Sequence, residues 1–150
     1  LNLSDYIAGL NARLTEAQAG GDPLLAGASI LTEDVGELEE AVTAAIEKTG
    51  LLILIGQPSG HNTRQSQQVG RLTINSRIEV GENPTLWRDK PGKPVSQDVM
   101  FRVIALVQGL SIAGFKKVIV ADFVMDLGKK GQLWTVSLES ELIVQKTDQD

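Results

Sequence analysis

The chain has 150 residues, 42% hydrophobic and 22% charged, the make-up of an ordinary folded domain with a real core. Its net charge of −5 argues against a dedicated nucleic-acid binder, which carries a basic excess, while leaving room for a local basic patch. Without cysteine there is no disulfide framework, thiolate metal site or cysteine nucleophile, and no apolar run reaches the roughly 18 residues that span a membrane as a helix.

The sequence opens with "LSDYIAGLNARLTEA", where Ser4 or Asp5 can cap a helix and Ile7, Leu10 and Leu14 recur on one helical face. "GGDP" at 20–23 stops it. Residues 24–31 are small and apolar, a short strand or an extended connector. "TEDVGELEEAVTAAIEKTG" predicts a second helix, capped by Thr32 or Asp34, with Val35, Leu38, Val42, Ala45 and Ile46 as its stripe and Gly50 as its stop.

"LLILIG" then predicts a strand buried on both faces. "QPSGHNTRQSQQ" at 57–68 reads as a polar loop. "RLTINSRIEV" alternates, with Leu72, Ile74, Ile78 and Val80 on one side and Arg71, Thr73, Arg77 and Glu79 on the other. "SQDVMFRVIALVQGL" is a largely buried helix with Ser96 as its cap. "KKVIVADFVMD" reads as a central strand, "LGKKGQ" as a hairpin turn with solubilising lysines, and "LWTVSLESELIVQ" as a long last strand. There Trp134, Val136, Leu138, Leu142 and Val144 share a face.

The order α-α-β-β-α-β-β predicts an α+β fold: an antiparallel or mixed sheet of about four main strands with helices packed on one face. Residues 1–150 show no internal repeat and no domain boundary. The start shows no basic-then-apolar signal-peptide pattern, and a chain beginning at Leu1 leaves an upstream segment open.

Catalytic signatures are sparse. His61 is the only histidine and sits in the polar stretch. Asp122 and Asp126 share one side of a strand and are expected on its wet face, opposite Arg71 or Arg77. The glycines of "IGQPSGHNTRQ" lack the lysine and following helix of a phosphate loop. No metal or other cofactor is expected, and an enzyme is the least favoured class.

The unusual stretch is "GENPTLWRDKPGKP" at 81–94. Two to six residues normally suffice between a strand and a helix. Pro84, Pro91 and Pro94 stiffen this one, Arg88, Lys90 and Lys93 make it basic, and Leu86 and Trp87 add apolar area. Tryptophan and arginine are enriched at the energetic centres of interfaces. Two readings of Trp87 stand side by side: an interface anchor, or a side chain folded back onto the core edge.

The "LLILIG" strand, the polar loop, the alternating strand closing in Glu82-Asn83-Pro84 with Leu86 and Arg88, the "GKP" entry to a helix at 96–110 and the final hairpin together resemble the tail-terminator (tail-completion) proteins of long-tailed bacteriophages. The resemblance covers roughly residues 32–145. It implies a structural virion protein, located in the tail or neck and assembled in the bacterial host cytoplasm. Such a protein forms a ring, commonly a hexamer, that caps the head-proximal end of the tail tube and stops its polymerisation. Its partners are expected to be itself, the tail tube protein, the head-completion or connector protein and, in contractile tails, the sheath protein. Genomic DNA passes through the lumen without specific binding, and no membrane is involved. Carried over, Asn83, Pro84, Leu86, Trp87 and Arg88 become contact residues, with Lys90 and Lys93 beside them. His61 and Arg64 in the polar loop form a second contact. The bulky Trp87 departs from the family pattern. The alternatives are another connector or baseplate component, or a small-molecule or regulatory binding module.

Overall fold

Period-two and period-3.6 hydrophobic patterns divide this chain into strands and helices, and the computed structural model places them. It describes residues 3–34, 36–62, 69–83, 86–87, 91–128 and 131–145. The elements are α1 (Leu3–Ala19), β1 (Ser29–Thr32), α2 (Leu38–Thr49), β2 (Leu51–Ile55), β3 (Ser59–Asn62), β4 (Val69–Glu82), α3 (Ser96–Val107), β5 (Ile119–Gly128) and β6 (Gly131–Gln145). The fold is α+β, with three helices among the described residues and a mixed six-stranded sheet in the order β1-β2-β4-β6-β5, β3 lying beside β4.

The alternation read from the sequence builds the sheet centre. In β4 the even-numbered residues Ile74, Ser76, Ile78 and Val80 turn inward, and in β6 Trp134, Val136, Leu138 and Ser140 do so. The two strands pair antiparallel from Val69↔Gln145 to Gly81↔Leu133. On the inner face, α3 covers these two strands through Val99, Met100, Val103, Leu106 and Val107, and α1 lies beside it over β1 and β2, through Tyr6, Ile7, Leu10 and Leu14. Each such side chain, removed from water, contributes about 1.5–3 kcal/mol before the entropy of ordering is set against it. The Arg13 guanidinium donates to the Leu106 carbonyl at 3.0 Å and ties the two helices together.

β2 is buried along its whole length, as its continuous apolar run predicts. Leu51, Ile53 and Ile55 join the main core, while Leu52 and Leu54 face the other way and pack with Ala45, Leu38, Val42 and Ile46. The helices therefore do not all lie on one face: α2 covers the opposite side of β2. A strand with no polar face needs a cover on each side, and α2 supplies the second one.

Four other expectations are corrected. Helix α2 begins at Leu38, because Thr32 is taken into β1, which pairs parallel with β2 over Ser29↔Leu52 to Thr32↔Ile55. Glu37 stands at its start with φ 56°, without a side-chain cap. Ser96 is not the cap of α3; Val95 holds that place, and the buried Ser96 hydroxyl donates to Gln132 Oε1 at 3.1 Å and accepts the Trp134 indole N–H at 3.2 Å. The polar loop is partly sheet, since β3 pairs with β4 over Ser59↔Asn75 to Asn62↔Leu72. Finally, β5 is an edge strand and not a central one. It is the hairpin partner of β6, closing at Gly128↔Gly131, with a bulge between Val120 and Asp122.

Candidate interaction surface

The loop leaving β4 is closed inward. Asn83 donates its backbone N–H to the Gly50 carbonyl at 2.7 Å, and its own carbonyl accepts the N–H groups of Leu86 (3.2 Å) and Trp87 (2.9 Å). This turn drives Trp87 into the main core, where it is 1% exposed. Its indole N–H donates to the Pro94 carbonyl at 2.7 Å. Trp87 is therefore a core residue in this chain, and its reading as an interface anchor is corrected. A large apolar ring in a proline-stiffened loop gains more by entering an adjacent core than by waiting exposed.

Two neighbours stay outside. Leu86 is 41% exposed, and Lys93 is exposed with its ammonium 4.8 Å from the Trp87 ring centroid, a cation–π distance. Pro84, Arg88, Lys90 and Arg64 lie outside the described residues, as do Val35, Lys129 and Lys130. His61 lies in β3, opposite Thr73.

Neither aspartate of β5 stands opposite an arginine of β4, because β6 lies between the two strands. Asp122 stands opposite Ser137 and Asp126 opposite Leu133, both exposed. Arg71 stands opposite Ile143, and Arg77 instead reaches Glu79 Oε1 at 3.0 Å and Glu33 Oε1 at 2.9 Å. The hydrogen bond that Arg77 donates to Glu79 raises the Arg77 pKa above its ordinary value, against partial burial, which lowers it. Among the described residues no group of three or more histidines and carboxylates is placed to hold a metal ion, and no helix is long and apolar enough to cross a membrane.

The most unusual surface is one the sequence reading missed. From Ala121 to Asp126 every residue of β5 is exposed, including Phe123 at 45%, Val124 at 61% and Met125 at 39%. Phe101 on α3 is exposed too and meets Phe123 edge-to-face at 5.6 Å, and Phe123 lies 6.5 Å from Trp134. Phe123 and Met125, opposite Val136 and Trp134, thus continue the core outward, whereas Val124, opposite Thr135, stands on the other face of the strand. Gln108 Oε1 accepts the Val120 N–H at 2.8 Å and closes the start of the edge. Beyond it, alternate residues of an edge strand turn N–H and C=O groups away from the sheet. The signal in the sequence was Asp122 and Asp126: two carboxylates inside an apolar run suit an edge and not a centre.

Fold and surface together define an α+β domain with a mixed sheet, a basic and apolar corner beside β2, and an apolar edge at β5. No protein-family model matches the chain, and no curated protein sequence matches it.

Proposed function

We propose that the protein works by contact and not by catalysis: it is a ring-forming structural subunit of the tail-terminator kind. The ring caps the head-proximal end of a phage tail tube and offers a docking face to the head connector. One observation carries the self-assembly, the exposed stretch Ala121–Asp126 of β5 with Phe101 beside it. A long apolar edge is a liability for a chain that stays alone, and proteins that keep one generally cover it with a partner. The resemblance of residues 32–145 to tail terminators supports the rest: the tube, connector and sheath as partners, and the virion neck as location. A net charge of −5 suits a lumen through which DNA passes without adhering.

The test is the native mass of the purified protein across concentrations, by light scattering, with negative-stain imaging of the product. A discrete hexameric ring is the expected result. A monomer at every concentration overturns the reading.

A further inference from the structure

The self-assembly reading leaves open which surfaces meet, and two patches of opposite character answer it. On β5, Asp122, Val124 and Asp126 alternate and so share one face, opposite Ser137, Thr135 and Leu133. All three are exposed, which sets an apolar residue between two carboxylates. At the other side of the sheet lies Leu86. It packs so close to Gly50 that a Cβ added there would be 2.8 Å from the Leu86 Cβ. Lys48, exposed, stands two residues before Gly50 in the last turn of α2, and exposed Lys93 lies over the adjoining Trp87 ring. This region thus carries an exposed apolar residue and two exposed lysines.

The two patches are set apart across the strand order, one on edge strand β5 and the other beside the start of β2, three strands away. Pairing β5 with a second β5, antiparallel about Val124, would set Asp122 directly across from Asp126 of the other copy, and like charges so placed are destabilising. Contact between unlike patches on opposite sides of a subunit repeats from copy to copy and closes into a ring when the rotation fits. We propose that the occupant of the β5 patch is a second copy of this chain. Val124, with Asp122 and Asp126, seats against Leu86, with Lys48 and Lys93, of the next subunit. This contact rests on the self-assembly reading and specifies it.

The chain has no cysteine, so single thiols report contacts cleanly. Leu86→Cys and Val124→Cys are purified separately, mixed, and treated with a short bis-maleimide. A covalent dimer in the mixture and in neither variant alone is expected. A dimer in Val124→Cys alone means that β5 meets β5 and overturns the contact. An oligomeric native mass without a dimer in the mixture overturns this contact and leaves the ring standing. A monomeric mass throughout overturns both. Lys48→Glu adds a readout on a different residue: association is expected to be lost with the circular dichroism unchanged, and to return when Asp122→Lys and Asp126→Lys are introduced in the same chain. Unimpaired association of Lys48→Glu overturns the charge pairing.

Discussion

The Trp87 indole N–H donates to the Pro94 carbonyl at 2.7 Å, so the long loop after β4 is fastened to itself through a residue inside the core. Stiff prolines and a buried ring make it a structural strap. Among its described residues, Leu86 and Lys93 are exposed.

Trp87→Ala is therefore expected to destabilise the domain by about 3–5 kcal/mol, the range for deleting a buried aromatic ring. Urea unfolding measures it. Trp87→Phe keeps much of the apolar volume but removes the donor to Pro94, and should lose less. A loss below about 1 kcal/mol for Trp87→Ala would place the ring outside the core.

Tyr6 and Ser76 hydrogen-bond through their hydroxyls at 2.9 Å, joining α1 to β4 across 70 residues of sequence inside the core. Tyr6→Phe or Ser76→Ala alone leaves one buried hydroxyl unpaired, at about 1–3 kcal/mol. The double variant removes both polar groups and should cost clearly less than the sum. Additive losses in the double-mutant cycle would show that the two hydroxyls do not interact.

Tyr6 is the only tyrosine, so tyrosinate absorbance follows it alone. Burial raises its pKa above the ordinary 10.0, and the Ser76 hydrogen bond lowers it by less. A raised folded-state value means that the contribution to stability is fully present below about pH 10 and is lost as pH rises through the folded value, because the unfolded phenol ionises first. The native protein should titrate above free tyrosine, and Tyr6→Phe should flatten the alkaline fall in stability. A titration at or below the free value would contradict the buried placement.

Much of this fold was legible in the sequence, and the misses share a cause. α1, α3, β4 and β6 each bury one face, so their periodicity is visible in residues such as Leu10, Val103, Ile78 and Val136. Continuous apolar runs do not say what covers them. "LLILI" is central and "VIVADFV" is an edge, though both look alike as strings. Tertiary pairing also recruits residues of weak strand character: Ser59–Asn62 becomes β3 because β4 extends beyond β2 and offers a ladder. For the candidate surface, Leu86 and Lys93 were read from their loop, whereas Phe101, Phe123 and Val124 needed the sheet order.

Glu33 joins three segments: its carboxylate accepts Arg77 Nη2 at 2.9 Å and the Gln57 backbone N–H at 2.6 Å, linking the end of β1 to β4 and to the β2–β3 connection. The Arg77 side chain is 40% exposed, so solvent screens the pair. Glu33→Gln should cost no more than about 1 kcal/mol, and the difference from wild type should shrink with added salt. A larger, salt-independent loss would mean that the carboxylate is held mainly through the Gln57 N–H.

Val124→Lys separates the surface from the core. Val124 is 61% exposed and stands between two aspartates on its own strand, so a lysine there makes no cavity and has a carboxylate two residues away on either side. Monomer stability should stay within about 0.5 kcal/mol of wild type. Association should fall sharply, because the apolar contact is lost and a cation would face the basic Leu86 corner of the next copy. The bulge before Asp122 and the two carboxylates are the devices by which edge strands reject indiscriminate pairing, and here they leave Val124, on the carboxylates' own face, available to a partner that brings basic charge. A Val124→Lys protein that still forms the wild-type oligomer would show that β5 is an edge protected by its charges alone, and that subunits meet elsewhere.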